Sequence, residues 1–385
     1  MMRISLFILL TCSSLILPVV CAEETAKGSV LTVQSDQEVC SSFLGFGVHG
    51  DFFLTRSVNA ERGVRQRDLM LNFQRIEALR PHLVRTFFNY RWWEPQEGKQ
   101  TPDSEEMRDY VLWCRFLQSI HAQVLLTPWG ENFAYSEWML PSNAGPMRYQ
   151  EGEEREVSVS SWSMAPKIPL PEKREAMVRS LADLVEYLLR DQGLKNIRYL
   201  CLMNEPDNDP KRPVPAEEYI RLNRLLIDLL KQRGLRDQLT LLGPDDSSGD
   251  LESIDPWFTE TISIAPELFD AFSSHTYRHT FDEVPKLRGW VQARMNAAKE
   301  FSGGKPPKPV MITEFGYGGS TFKNLENHKY EYGLYLPDFG ITAVQSGAAA
   351  ALTWCLMDTY YDRESRDTEH KQEYGLWKWL DEGWK

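Results

Sequence analysis

Short apolar runs alternate with amphipathic segments of helical period along most of this 385-residue chain. The runs are rich in Val, Ile, Leu and Phe and do not alternate strictly with polar residues, which is typical of parallel strands covered on both faces. Eight runs are predicted as strands, at positions 43–49, 82–88, 122–128, 197–203, 239–244, 269–275, 309–315 and 349–356. The sequence therefore predicts one parallel sheet buried under helices.

The segments between the runs carry apolar residues three and four positions apart, which predicts helices. The clearest are 67–80, 105–120, 173–193, 215–234 and 284–301. Eight strands joined by seven crossover helices predict an α/β fold, the (β/α)8 TIM barrel, as a single domain over residues 23–385. Residues 374–385, "YGLWKWLDEGWK", follow the last strand, so the eighth helix is expected to be short or missing.

The connection between the third strand and the third helix is unusually long, at positions 129–172. Loops of this length are usually functional or disordered, and loops that follow strands lie on the active face of such a barrel. Trp129, Trp138 and Trp162 fall in this loop and are candidates for exposed stacking platforms.

The first 22 residues are predicted to be a secretory signal peptide. A basic start that ends at Arg3 precedes an uncharged apolar stretch, and Val20 and Ala22 are the small residues expected before a cleavage site. The alternatives are an uncleaved membrane anchor, for which the run is short, and lipidation at Cys21. The mature protein is expected to be secreted or periplasmic, without a membrane span.

The formal net charge is −12, and loss of Arg3 with the signal peptide makes it −13. This balance argues against nucleic-acid binding, which needs a basic surface. Four cysteines remain after cleavage: Cys40, Cys114, Cys201 and Cys355. No C-x-x-C pair occurs, so a zinc or redox site is not expected. Disulfides among these cysteines and the oligomeric state are left open by the sequence.

Polar and aromatic residues mark the ends of the predicted strands, where the active residues of this barrel lie. They are His49, Asp51, Arg85, Asn89, Trp129, Asn204, Glu205, Asp245, Asp246, His275, Tyr277, Glu314 and Trp354. Glu205 and Glu314 end the fourth and the seventh strand, across an eight-strand ring. Two carboxylates facing across a cleft are the minimal machinery for cleaving a glycosidic bond. One protonates the leaving oxygen, and the other attacks the anomeric carbon or activates water.

Three strand-end motifs, "NEP" (204–206), "HTY" (275–277) and "TEFG" (313–316), resemble those of glycoside hydrolase clan A. This clan contains retaining (β/α)8 glycosidases, including cellulase-type enzymes and the β-xylosidase/α-iduronidase family. The resemblance implies that Glu205 is the catalytic acid/base and Glu314 the catalytic nucleophile. It also implies that Asn204 hydrogen-bonds to the sugar 2-hydroxyl.

Four further positions acquire roles from the same resemblance, which extends over residues 43–376. Tyr277 resembles the hydroxyl that keeps the nucleophile ionised, and His275 and Arg85 resemble its electrostatic neighbours. Trp354 resembles the floor under the reacting sugar. The positive charge of Arg85 is expected to favour the ionised form of Glu314, while partial burial favours the protonated form of Glu205.

Each catalytic role has an alternative interpretation. Glu205 is also the type of acid that a helix N-terminus favours. Glu314 is also a suitable ion-pair partner for Arg85. His275 and His279 are a possible start of a metal site, although no third ligand is evident.

The binding residues are equally open. His49 and Asp51 either contact substrate or pack as a polar strand end. The aromatic segment 91–95, "RWWEP", is either a sugar platform or packing under the second loop, and Glu94 within it is a possible third carboxylate.

The predicted function is a secreted retaining glycosidase that cleaves β-linked glycans of the β-glucan, xylan or mannan type by double displacement. The β configuration is implied by the resemblance, and the aromatic loops favour neutral sugars that stack on rings. The expected partner is an oligo- or polysaccharide, with no cofactor and no metal. The alternatives are a catalytically silent carbohydrate-binding protein on the same barrel and a metal-dependent hydrolase.

Overall fold

The computed structural model describes residues 38, 40–41, 43–50, 60, 63–129, 134–140, 169–208, 214–247, 256–278, 281–317, 330–358 and 374–378. The predicted signal peptide, Asp51, Trp162 and His279 lie outside these residues, as does most of the loop 129–172. The barrel lies within the compact unit Val39–Lys385.

Eight parallel strands close into a barrel in sequence order, with β1 pairing with β8. They are β1 (Gly45–His49), β2 (Leu83–Phe88), β3 (Gln123–Pro128), β4 (Ile197–Cys201), β5 (Thr240–Asp246), β6 (Ala271–Arg278), β7 (Val310–Tyr317) and β8 (Ala350–Thr353). Each predicted run overlaps one of these strands, and β5, β6 and β7 extend two or three residues beyond the predicted ends. The (β/α)8 fold predicted from the alternating pattern is therefore confirmed.

Seven crossover helices join the strands. They are α1 (Gln66–Leu79), α2 (Glu105–Ser119), α3 (Arg174–Glu186), α4 (Ala216–Gln232), α5 (Pro256–Ile264), α6 (Leu287–Glu300) and α7 (Tyr330–Gln345). A short helix, Tyr90–Trp93, also follows β2, and a π-helical turn, Tyr187–Asp191, extends α3. The pattern predicted five of the seven clearly, and α5 and α7 fill the remaining crossovers.

Local sequence explains where several helices begin and end. The Ser104 hydroxyl accepts a hydrogen bond from the Met107 amide at the start of α2, which satisfies one of the unpaired donors of a helix N-terminus. Gly193 and Gly234 have φ values of +65° and +63° just beyond α3 and α4. A left-handed residue after a helix favours glycine, which agrees with the predicted ends of these helical segments at positions 193 and 234.

Strand residues alternate between the barrel interior and the helix-facing side. The interior is filled by a small cluster that includes Leu83, Leu125, Tyr199, Leu242 and Met311. A larger cluster packs the outer face of the sheet against the surrounding helices. Cys201 belongs to the interior cluster, and both Cys114 and Cys201 are buried thiols. The interior below the strand ends is thus packed, which leaves the mouth of the barrel for chemistry.

The chain beyond β8 contains no helix within residues 354–358 and 374–378, the parts described there. Met357 forms a parallel bridge with Trp377, whose buried indole N–H donates to Oδ1 of Asn72 on α1 at 2.9 Å. This contact fastens the returning chain to the first helix.

Among the described residues, no helix has both the length and the apolar character needed to cross a bilayer.

Candidate active site

Glu205, Glu314 and His275, three of the predicted strand-end residues, converge at one end of the barrel. Glu205 follows β4 and Glu314 lies in β7, and one carboxylate oxygen from each lies within 4.8 Å of the other and of a ring nitrogen of His275. The register of β6 and β7 pairs His275 with Glu314, which accounts for their proximity. The two carboxylates that the sequence predicted to flank a cleft are therefore neighbours in space.

Glu314 is held by two donors, one on each oxygen. Arg85 Nη1 donates to Oε2 at 2.6 Å, and the Tyr277 hydroxyl donates to Oε1. Burial, together with the charge of Glu314, raises the pKa of Tyr277 well above its usual value, so the phenol keeps its proton and acts as a donor. The two donors therefore fix the orientation of the Glu314 carboxylate.

Glu205 is less buried than Glu314 and also has a donor on each oxygen. His275 Nδ1 lies 2.9 Å from Oε1, and the side-chain amide of Asn208 donates to Oε2 at 2.5 Å. The Glu205 backbone has a φ of +42°, in the left-handed region. Such conformations cost free energy in non-glycine residues and cluster at functional sites.

His275 is a buried cation between three carboxylates. Its Nδ1 faces Glu205 at 2.9 Å and Glu314 at 3.7 Å, and its Nε2 lies 3.2 Å from Oδ1 of Asp245. Burial alone would lower the pKa of His275, but Asp245 and Glu314 outweigh it and raise the pKa to about 10. The imidazole therefore remains protonated at neutral pH.

Arg85 links the nucleophile candidate to Asn204. Its Nη2 donates to Oδ1 of Asn204 while its Nη1 bonds to Glu314. Arg85 is completely buried, and its guanidinium lies 4.8 Å above the ring of Phe87. Because the carbonyl end of Asn204 is bound, its amino group is the end that remains to donate to a ligand.

Asp245 is the site residue to which sequence reasoning gave no role. It stood among the polar strand ends, but nothing distinguished it from Asp246. In the structure Asp245 accepts from Arg85 at 3.0 Å and from the Thr313 hydroxyl at 2.7 Å, beside His275. Burial opposes its charge, but His275 and Arg85 hold the pKa of Asp245 well below its usual range.

Asp246 faces the opposite side of the sheet. It is paired with Arg294 of α6 at 3.0 Å and accepts from Ser274, and all three side chains are buried. Arg294 lies 3.7 Å over the ring of Trp290 on the same helix. This cluster anchors α6 to the sheet.

The aromatic residues predicted for binding surround Phe87, which the sequence analysis did not single out. Trp129 stacks on Phe87 with ring centroids 4.6 Å apart, and His49 lies 4.5 Å from it. His49 also contacts the Trp354 ring at 4.1 Å. The period of two along β2, which places Arg85 and Phe87 on one face, was the available indication for Phe87.

Other candidates lie elsewhere. Trp92 and Trp93 are each 2% exposed and pack in the core, which supports the packing alternative for segment 91–95. Trp138 is half-buried, and its indole N–H donates to the Glu94 carbonyl. The Glu94 carboxylate accepts from the Gly98 amide. The sequence-based expectation that Trp129 is an exposed platform is wrong, because it is 8% exposed and stacked on Phe87.

Glu205, His275 and Glu314 also carry the atom types that bind metal ions. A protonated imidazole donates hydrogen bonds through both nitrogens and offers no lone pair to a cation. Arg85 adds a second positive charge beside the same carboxylates. This arrangement suits proton transfer between charged groups better than it suits a metal centre.

Comparisons with known proteins bear on the fold. No protein-family model matches the sequence, and no curated protein is similar to it. A family 39 glycoside hydrolase from Bacteroides cellulosilyticus WH2 has a similar structure, with a TM-score of 0.58 at 16% identity over 89% of this chain and 61% of that one. The chain thus spans about three fifths of that protein's length.

Two further structures are similar at comparable levels. GH5_18 from Bifidobacterium longum subsp. infantis matches with a TM-score of 0.57 at 15% identity, over 89% of this chain and 76% of its own. A family 5 mannosidase from Rhizomucor miehei matches with a TM-score of 0.56 at 11% identity, over 87% of this chain and 89% of its own. These neighbours belong to clan A families. At such identities they establish the barrel fold that the sequence motifs implied.

Proposed function

We propose that this protein is a retaining glycoside hydrolase that cleaves β-linked glycans, with Glu205 as acid/base and Glu314 as nucleophile. The observation that carries the proposal is the pair of carboxylates whose nearest oxygens lie within 4.8 Å. Retaining enzymes hold their two carboxyl groups about 5–5.5 Å apart, whereas inverting enzymes leave about 6.5–9.5 Å for a water molecule. The spacing favours direct attack by a carboxylate.

In the first step, Glu314 attacks the anomeric carbon while protonated Glu205 gives its proton to the departing glycosidic oxygen. A sugar–Glu314 ester forms and the glycosidic bond breaks. Arg85 and Tyr277 hold the Glu314 carboxylate in place for the attack, because each donates to one of its oxygens. The amino group of Asn204 is placed to donate to the sugar 2-hydroxyl, a contact that strengthens in the transition state.

In the second step, a water molecule attacks the anomeric carbon and releases Glu314. Esterification removes the negative charge of Glu314, so the neighbouring cations Arg85 and His275 favour ionisation of Glu205. Glu205 then accepts the proton of the attacking water and returns to its acid form. The configuration of the sugar is retained after two displacements.

A neutral β-linked backbone is proposed as substrate. Trp354, one of the rings packed around Phe87, is the position that resembles the floor under the reacting sugar, and an aromatic ring there suits stacking against a sugar. One structural neighbour is a mannosidase. We include β-mannan and its oligosaccharides with β-glucan and xylan as the first candidates.

Secretion remains a proposal from the sequence. Cleavage after Ala22 is expected to yield a mature protein beginning at Glu23, recovered from the periplasm or medium. N-terminal sequencing of the exported protein checks this directly, and an intact N-terminus on the recovered protein would contradict it.

Sugar release from β-mannan, xylan, β-glucan and aryl β-glycosides tests the enzymatic proposal. Glu314→Gln and Glu205→Gln are expected to lose at least about 1,000-fold in kcat on the substrate that the wild type cleaves. Glu94→Gln is the matched control, because Glu94 is a buried carboxylate outside the site. It should stay within about twofold of wild type.

Two further outcomes separate the alternatives. The first-formed sugar anomer, followed by proton NMR, should have the configuration of the substrate, and inversion would rule out double displacement. Equal activity in wild type and Glu314→Gln would refute the site. A wild type that binds these glycans without cleaving any would support the silent binding protein, and loss of activity on chelation would support a metal-dependent hydrolase.

A further inference from the structure

Asp245 contacts both cations of the site, Arg85 and His275. It is wholly buried, accepts from Arg85 and Thr313, and lies 3.2 Å from Nε2 of His275. Its backbone carbonyl also accepts from the Glu205 amide at 3.1 Å. One residue therefore touches the partners of Glu314 and Glu205 as well as the backbone of Glu205.

The backbone of Asp245 also supports a special role. Its φ is +61°, in the left-handed region that non-glycine residues rarely adopt. Such a conformation costs free energy and persists only when contacts with the surrounding structure hold it in place. Residues of this kind cluster at functional sites. At this position the conformation accompanies a carboxylate that faces Arg85 and His275.

We propose that Asp245 is a positioning residue, a fixed counter-ion that holds His275 as a cation and offsets the positive charge of His275 and Arg85, so that Glu205 keeps its proton before the reaction. This inference rests on the proposed glycosidase function. Asp245 is not a catalytic residue, because its contacts are to Arg85, His275 and Thr313 and it acts on the substrate only through them.

Charge balance gives the physical reason. Before the reaction, the cations Arg85 and His275 are balanced by Asp245 and ionised Glu314 when Glu205 is protonated. Without Asp245 the same state would carry one excess positive charge, which disfavours every proton in the cluster. A buried site of low polarity magnifies this imbalance.

The same balance of charges applies to the second step of the reaction. When the Glu314 charge is lost in the ester, two cations face Asp245 alone. Ionisation of Glu205 then restores the balance, so the acid becomes a base at the point where water must be activated. With Asp245 present, the charged cluster is neutral both before the reaction and in the ester intermediate. The proton lost by Glu205 is the one proton transfer between the two states.

The charged and titratable groups that face His275 come from five strands or strand ends. Arg85 lies on β2, Glu205 follows β4, Asp245 and Asp246 end β5, Tyr277 lies on β6 with His275, and Glu314 lies on β7. Of these, Asp245 and Glu314 supply the negative charges that favour the imidazolium most. Glu314 loses its charge during the reaction, and therefore Asp245 is the anion that remains.

The test is Asp245→Asn, which keeps the side-chain shape and removes the charge. Titration of His275 by nitrogen-15 NMR does not depend on enzymatic activity. We expect the imidazolium to persist to about pH 10 in the wild type and to lose its proton at least about 2 pH units lower in the variant. The alkaline limb of the kcat/KM profile should also move to lower pH, by about 1 unit.

Asp246→Asn is the matched control, because the neighbouring aspartate is equally buried but pairs with Arg294 on the other face of the sheet. It removes a buried carboxylate that also interacts with His275 electrostatically, but it leaves the direct contacts of His275 described above in place. Its His275 titration should stay within about half a pH unit of wild type. If Asp245→Asn and Asp246→Asn shift the titration equally, the specific role of Asp245 is overturned.

Titration of His275 in the wild type also tests the proposal. This measurement is still informative if the Asp245→Asn variant does not fold. A His275 that titrates near its ordinary value of 6.5 in the wild type overturns the proposal. Failure of the glycosidase proposal shows separately, as a wild type that releases no sugar while His275 still titrates as expected. That result removes the catalytic part of the inference and leaves the ion pair.

Discussion

The Tyr277 hydroxyl donates to Oε1 of Glu314, in a pair that burial and the register of β6 and β7 bring together. The phenol keeps its proton because burial raises the pKa of Tyr277 well above its usual value. The hydroxyl is therefore available as a hydrogen-bond donor to the Glu314 carboxylate. It gives the nucleophile candidate a second donor besides Arg85.

Replacement of this donor should slow the reaction while leaving the fold intact. Tyr277→Phe is expected to lower kcat about 10- to 150-fold, the value of one hydrogen bond to a charged group. Tyr335→Phe is the control, since the buried Tyr335 hydroxyl donates to the Gly316 backbone carbonyl. Steady-state kinetics of both variants checks the prediction, and equal effects would contradict it.

Asn204 should matter only to sugars that carry a 2-hydroxyl. Arg85 binds the carbonyl end of Asn204, which leaves the amino group to donate to the substrate. Asn204→Ala is expected to reduce the preference for a normal glycoside over its 2-deoxy analogue by about 100-fold, because contacts to this hydroxyl contribute several kcal/mol in the transition state. Comparing kcat/KM for the two substrates measures it. An unchanged ratio would mean that Asn204 only positions Arg85.

Asn208 should tune the acid/base through Oε2 of Glu205, to which it donates. Loss of this donor favours the protonated form, so Asn208→Ala is expected to move the alkaline limb of kcat/KM upward by about 0.5–1 pH unit. Asn296→Ala, at an exposed position on α6, is the control. The prediction is contradicted if the alkaline limb of kcat/KM lies at the same pH in the wild type, Asn208→Ala and Asn296→Ala. The Asn208 contact would then have no influence on the proton of Glu205.

Asp207 should make stability depend on pH. It accepts bonds from the Ser247 amide, and burial with the nearby charge of Asp246 raises the pKa of Asp207 from 3.8 to about 8. A raised folded-state pKa contributes stability that is full below about pH 4 and is lost as the pH rises through 8. Ionisation of the buried carboxyl is the cause of this loss.

Asp207→Asn removes that titration while keeping an acceptor for Ser247. When the pH rises from 5 to 8.5, the unfolding free energy of the wild type should fall relative to that of the variant. The expected difference is about 1 kcal/mol or more. Urea denaturation at both pH values measures the change. Asp228→Asn, at an exposed position on α4, should show no such difference. A wild type and an Asp207→Asn variant with parallel pH curves would contradict the prediction.

Much of the fold was predictable because its determinants are local. Uninterrupted apolar runs predict buried parallel strands, and Gly193 and Gly234 stop their helices through a left-handed conformation that needs no distant partner. The weaker pattern of α5 and α7 left those helices unplaced. Glu205 and Glu314 were found because a carboxylate that ends a buried strand is unusual in itself.

The sequence by itself determined the barrel, the strand ends that carry polar groups and the two candidate catalytic glutamates. Only the tertiary structure decided how the adjacent residues Asp245 and Asp246 divide their roles. Neighbouring strand residues face opposite sides, so one carboxylate meets His275 and Arg85 at the barrel mouth and the other meets Arg294 under α6. Which of two identical side chains faces inward depends on strand register, which shifts between Pro244 and Asp246 where β5 meets β6. Register is set by contacts between distant segments, and no local pattern contains it.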